Sequence, residues 1–248
     1  MPDVLPIPAE LLVLGLALLL YLTDLARLLF ANEVLFSGTV KGHWKALTPA
    51  NGFPFNRRNA VFPRVWDAGN IECRVAWPSQ PADSSQTIDD ALSVLAKEAV
   101  FERLICRALV PQLFIGVPIA YSLPSNDLPT LVMIALIYLQ VVALVVGVMI
   151  KRRRLCLSTG HAAWLAFESL VCLPYALNVF RKIGANLTSQ ARSDVLDLAA
   201  RLLDADDRHE LHERLRRSAS DRRDALSPAT QVRLDEFTAR LGVEKPER

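Results

Sequence analysis

Apolar and charged residues are segregated along this chain rather than interleaved at helix or strand period. A soluble domain mixes the two classes so that each element has a wet face and a dry face, whereas a membrane protein separates them. The cleanest apolar run is Leu128 to Ile150, uncharged throughout and halted by Lys151-Arg152-Arg153-Arg154. As a helix, its roughly 23 residues rise about 34 Å, enough to cross a hydrocarbon core of about 30 Å. Only Thr130, Tyr138 and Gln140 are polar in it. A lone strand is excluded because lipid leaves its backbone groups without partners.

Just before it, Ala108 to Asn126 is also uncharged, bounded by Arg107 and Asp127 and interrupted by Pro111 and Pro118. The stretch from Ser122 to Asp127 is a turn by composition, so 108–150 reads as a transmembrane helical hairpin. Gly116-x-x-x-Ala120 and Ala143-x-x-x-Gly147 are small-residue pairs that close this hairpin or an oligomer. A third apolar run, Pro8 to Ala31, follows an acidic leader with Asp3 and Glu10. It lacks the basic start and small-residue cleavage site of a signal peptide, so residues 1–31 read as an uncleaved anchor. Asp24 and Arg27 near its end are spaced to pair on one helix face. The fourth run, Leu155 to Phe180, carries His161, Glu168, Pro174 and Asn178 and is followed by Arg181-Lys182. One central carboxylate costs about as much as its Leu, Val and Phe residues gain on insertion, so this run reads as interfacial, with a fourth span as the alternative.

The polar regions have their own patterns. Residues 32–86 form a loop with β-like runs at Ala60–Val65 and Ile71–Trp77, separated by Asp67-Ala-Gly-Asn70 and read as a hairpin or small cap. Pro78 to Ser85 is a linker by composition. Thr87-Ile-Asp-Asp90 resembles a capping box, opening an amphipathic helix over 87–107 with Leu92, Leu95, Val100 and Leu104 as its apolar stripe. From Ser193 onward the pattern is helical. Val195, Leu198, Ala199 and Leu202 share a face, and Ser227-Pro228 starts a helix whose stripe is Leu234, Phe237 and Leu241. The expectation is therefore an all-α polytopic membrane protein with three, alternatively four, transmembrane helices, a β-like cytosolic loop and a helical C-terminal region.

Basic residues set the orientation. Lys151, Arg152, Arg153 and Arg154 place the end of the hairpin in the cytoplasm, and Arg103 and Arg107 mark its cytoplasmic start. Residues 32–86, with Lys41, Lys45, Arg57, Arg58 and Arg64, then lie inside and the N-terminus outside. A net charge of +2 spread along the chain excludes the concentrated basic face of a nucleic-acid binder. The preference for arginine over lysine suggests a bacterial inner (plasma) membrane protein. Cys73, Cys106, Cys156 and Cys172 form no C-x-x-C pair and read as reduced core or lipid-facing residues.

No phosphate-binding glycine loop, nucleophile elbow or H-E-x-x-H sequence is present. His209-Glu210-Leu211-His212-Glu213 offers ligands at helical spacing, but the segment is charged on all sides and reads as a solvated face. Asn186-Leu-Thr188 fits the glycosylation pattern only in a eukaryotic lumen. No cofactor or metal is expected. The membrane-embedded polar candidates are His161, Glu168, Asp24 and Arg27, because ionisable groups in apolar stretches need a partner or a role. The reading is a non-enzymatic interaction or assembly component, partnered by the bilayer and by another protein or a second copy. Its alternative is a small channel or transporter subunit using His161, Glu168 and Gln140.

Overall fold

The computed structural model describes residues 9–39, 42–64, 68–77, 88–122, 128–190, 194–221 and 228–243. Residues 1–8 of the leader, the linker at Pro78, Asp67, Thr87, Ser227 and most of the turn at Ser122 lie outside these residues. The chain is largely helical, but it is not all-α: two small sheets replace the expected irregular loop. It divides into two compact units, one of 1–26, 64–71 and 92–187, the other of 27–63, 72–91 and 188–248.

The first unit is helical. Helix α1 (Ala9–Leu25) ends earlier than the expected anchor, and the chain enters a strand at Arg27. Helix α2 (Ile88–Glu98) breaks at Ala99, and α3 (Val100–Pro111) follows at once. Pro111 has no N–H to give and its ring crowds the carbonyl one turn back. The helix relaxes there into a π turn over Gln112–Gly116 and resumes as α4 (Val117–Ser122). The apolar rod therefore begins at Val100, not at Ala108. Helix α5 (Leu128–Lys151) is its antiparallel partner, with Ile137, Val141, Leu144 and Val148 on the buried face.

Val100–Ser122 and Leu128–Lys151 are long and apolar enough to cross a membrane. Only 17% and 22% of their most apolar stretches are buried, and Leu104, Ile115, Ile119, Leu131 and Leu139 point outward. Inward lie Leu95, Ala99, Glu102, Cys106 and Leu109, so the sequence stripe of Val100 and Leu104 is the outer face rather than the packed one. The small residues set the separation of the two rods. A Cβ on Gly147 would lie 3.0 Å from Glu102 Oε1 and 3.3 Å from the Phe101 ring, and one on Gly116 would lie 3.3 Å from Met133. The glycine of each small-residue pair thus faces the other rod of the hairpin. Beyond α5 come α6 (Thr159–Val171), α7 (Leu173–Ala176) and α8 (Val179–Gln190). Ser158 caps α6 by accepting from the His161 amide at 3.2 Å, and the Cys172–Pro174 step ends it.

The second unit joins the two polar regions. Strands β1 (Arg27–Leu29), β4 (Phe53–Phe55) and β5 (Arg58–Val61) form one sheet in the order β1-β5-β4, with both pairings antiparallel. Strands β2 (Glu33–Gly38), β3 (Lys45–Leu47) and β6 (Ile71–Ala76) form the other, in the order β3-β2-β6. The two β-like runs of the sequence thus belong to different sheets and are not a hairpin. Leu29, Leu35 and Val61, with Leu47 against them, make the local core. Helices α9 (Val195–Leu202) and α10 (Ala205–Ser220) start at Asp194 and Asp204, whose carboxylates accept from the Leu196 and Asp207 amides at 2.9 Å. Helix α11 (Pro228–Val243) buries Leu234, Phe237 and Leu241, as their spacing requires. Phe237 stacks on Trp77 at 5.5 Å and 17°, which ties the C-terminal helices to the end of β6.

The true hairpin is β4–β5. Asn56 and Arg57 both have positive φ, 41° and 65°, the signature of a two-residue type I′ turn. An arginine in that region costs about 1–2 kcal/mol that glycine does not. Arg57→Gly is expected to raise stability by about 1 kcal/mol, and Arg57→Val to lower it by at least as much. Thermal unfolding in mild detergent checks the order of the three proteins.

Candidate functional site

Two of the carboxylates in the apolar segments converge on one cation that the sequence pattern does not single out. Lys182, on the first turns of α8, places Nζ 2.8 Å from Asp24 Oδ1 and 2.9 Å from Glu168 Oε2. Asn178, in the turn before α8, donates from Nδ2 to Asp24 Oδ2 at 3.0 Å, and the Tyr175 ring lies 5.2 Å from the ammonium. Local sequence builds this node. The Cys172–Pro174 break turns the chain back after α6, and α1 delivers Asp24 in its last turn. The side chains of Lys182, Asp24 and Glu168 are only 17%, 14% and 22% exposed. The node is an electrostatic clasp joining α1, α6 and α8.

Arg27, expected to pair with Asp24, binds Glu72 of β6, with Nε 2.6 Å from Oε2. Glu72 is fully buried, and its carbonyl accepts from the Thr188 hydroxyl at 2.9 Å. The basic cluster after α5 is likewise engaged. Lys151 donates to the Glu98 carbonyl at 2.8 Å and pairs with buried Glu102 at 3.3 Å, while its ammonium stands 5.7 Å from the Phe101 ring. Arg154 pairs with Glu98 at 3.2 Å, Arg152 donates to Thr159, and Arg153 is exposed. Arg181 is buried and donates to the Arg64 carbonyl.

His161 sits in the first turn of α6, apart from these pairs, with Nε2 buried and no hydrogen-bond partner. On α10, Glu210 pairs with Arg214 and Glu213 with Arg216. His212 is buried while His209 is exposed, which splits the histidine cluster between core and surface. Among the described residues no group of three or more His, Cys, Asp or Glu side chains is arranged to hold a metal ion. Beside α10, a cleft of about 240 Å³ is lined by Lys45, Asn51, Asp207, Glu210 and Arg214, with Arg214 donating to Asn51 at 2.7 Å.

Sequence reasoning missed Lys182, Glu102 and Glu72. A carboxylate in an apolar helix demands a cation, and that rule points to the first basic residues beyond the Pro174 break. No family model matches this chain, and comparison with curated proteins and with solved structures likewise gave no match.

Two outcomes follow from this geometry. Lys182→Met leaves two carboxylates facing each other and is expected to cost about 2–4 kcal/mol, the lower part of this range reflecting the remaining water contact. Glu168→Gln keeps the Asp24 pair and is expected to cost about 1 kcal/mol. Equal unfolding temperatures for the two variants would dismiss the clasp.

Cys73 of β6 gives a pH signature. Burial pushes its thiol from an ordinary 9.0 up to about 12, against a smaller opposing effect of a hydrogen bond with Thr188. The unfolded thiol loses its proton near pH 9.0 and the folded one only near pH 12, so the stabilisation is complete below pH 9 and is lost as pH rises towards 12. A shallower fall in stability between these limits is expected for Cys73→Ala, measured by denaturant titration across that range.

Proposed function

We propose that this chain is a multi-pass integral protein of a bacterial plasma membrane that holds a folded polar module on the cytoplasmic face. It works without chemistry of its own, as an interaction or assembly component through the helices of that module. The observation that carries this reading is the outward display of large apolar side chains along two helices of crossing length. A surface of that kind belongs against hydrocarbon, since soluble chains rarely expose contiguous apolar patches of such extent.

We read three crossings, by α1, α3–α4 and α5, although α1, at 17 residues and about 26 Å, is shorter than the other two and crosses only a thinned core. Helix α6 has 13 residues and rises about 20 Å, short of a core of about 30 Å. It carries Trp164 and Phe167 outward, 6.0 Å apart, as a helix lying in the interface does. Connectivity supports the same count. Residues 27–63 and 188–248 belong to one compact unit, so the chain between them crosses an even number of times. The α3–α4 and α5 pair supplies two crossings, and α6 would make the number odd. The positive-inside rule then puts that unit in the cytoplasm. A pore is less favoured because Glu168 is already neutralised by Lys182.

The test joins sidedness to partnership. Ser220, exposed at the end of α10, is replaced by cysteine in a chain carrying Cys156→Ser and Cys172→Ser, with Cys73 and Cys106 left in place because they are buried. Protection from a membrane-impermeant maleimide until lysis is expected, together with a stoichiometric partner or second copy after mild solubilisation. Labelling in intact cells would reverse the topology, and a monomer with no bound protein would end the assembly reading.

A further inference from the structure

The outer face of the β1-β5-β4 sheet is built for a surface other than water. Side chains alternate across a strand, and directly paired residues share a face. The register pairs Leu28 with Ala60, Ala60 with Phe53, and Arg58 with Phe55. Leu29 and Val61, on the opposite face, enter the core with Leu35. In an antiparallel sheet with one buried face, the other is ordinarily polar. Here that outer face carries Phe53 and Phe55, 70% and 63% exposed, with Phe30 and Phe62 also exposed nearby. Arg58 holds its guanidinium 4.1 Å above the Phe30 ring, and exposed Arg57 occupies the turn. Leu28, Phe30, Phe55, Asn56, Arg57 and Arg58 line a shallow depression of about 560 Å³.

Charge and chain connectivity identify the occupant. From Lys41 to Arg64 the sequence contains basic residues and no aspartate or glutamate. Exposed aromatic rings beside arginines match the headgroup layer of an anionic leaflet, where rings sit at the boundary and guanidiniums meet phosphates. One edge of the sheet is β4, and Pro54 at its centre offers no N–H, which disfavours pairing of a partner's strand there. Strand β1 begins two residues after α1 ends. At 3.4 Å per residue and 4.8 Å per strand, the hairpin tip stays within about 20 Å of the start of β1. A tether so short keeps the local concentration of bilayer high, so a weak interfacial affinity suffices.

We propose that the β4–β5 hairpin is a second membrane-contact element, docking Phe53, Phe55, Arg57 and Arg58 onto anionic lipid headgroups. This rests on the reading of the chain as membrane-anchored, and the test separates the two. The full chain, carrying Cys156→Ser and Cys172→Ser, receives an environment-sensitive fluorophore at Phe53→Cys or, as control, at Leu139→Cys on α5. Each is reconstituted in nanodiscs of zwitterionic lipid, or of zwitterionic lipid mixed with phosphatidylglycerol, containing spin-labelled lipid as quencher. The expected result is quenching at position 139 in both lipids and at position 53 only with phosphatidylglycerol. The signal at 53 should be lost in the Arg57→Gln/Arg58→Gln variant. It should also weaken between about 0.1 and 1 M salt, as the screening length falls from about 10 to 3 Å. Quenching at 139 with none at 53 in either lipid would overturn the proposal while leaving the anchor intact, and would free this face for a protein partner. Equal quenching at 53 in both lipids would overturn the anionic requirement. An unquenched position 139 would overturn the anchor itself.

Discussion

A carboxylate carried into an apolar helix has to be met by a cation from elsewhere in the fold, and the helical unit does this twice. Glu102, fully buried near the start of α3, meets Lys151 at the end of α5. Glu168 on α6 meets Lys182 on α8, which also collects Asp24 from α1. Leaving the fully buried Glu102 without its cation would cost about 3–5 kcal/mol, and leaving the partly exposed Glu168 without its own about 2–4, each a large part of a domain's net stability. The two pairs therefore decide which helices are neighbours. The first fixes the antiparallel sense of the α3–α4 and α5 pair at its charged end, where Gly147 permits the close approach. The second holds the α6–α8 turnback against the end of α1.

These pairs change the weight of the basic residues. Lys151, Arg154 and Lys182 are flank charges in the sequence, yet each has a carboxylate partner in the fold. Their influence on sidedness is reduced accordingly, because a neutralised pair responds less to an anionic leaflet than a free cation does. The segment from Lys41 to Arg64 itself contains no aspartate or glutamate, so on the membrane reading the proposed orientation rests more on it than on the cluster after α5. Two of the segment's residues, Arg57 and Arg58, also belong to the cationic, aromatic hairpin, so one stretch of sequence bears on both the proposed cytoplasmic placement and the proposed lipid contact.

How much of the fold is legible in the sequence follows from signal length. Helix α5 and the stripe of α11 repeat their pattern over several turns, and both are readable from period alone. The sheets are not. Strands β1, β3 and β4 have three residues each, too few to show alternation. The Val34-Leu-Phe36 run of β2 is buried continuously, which erases the period of two. Sequence alone misplaces the start of α3, because Arg103 and Arg107 look like the end of an apolar span. Helical geometry instead turns Glu102 inward and lets the apolar rod begin at Val100. Lys182 lies fourteen positions from Glu168 across the Pro174 turnback, a separation on which helical period is silent.

The chain passes into the second unit at Arg27 and returns to it at Thr188, and both junctions are secured on one strand. Arg27 pairs with the Glu72 carboxylate, and the Thr188 hydroxyl bonds the Glu72 carbonyl, so a single residue of β6 receives the two of them. Burial of Glu72 makes these contacts costly to break, since the carboxylate is cut off from water. Cys73, the next residue, shares that dry environment, and its raised thiol reports it. Holding the two junctions at one place gives the polar unit its unity despite being assembled from three separated segments. On the membrane reading it also explains why the C-terminal helices belong with the loop after α1: they are bonded to the same strand, and a strand lies on one side of a bilayer.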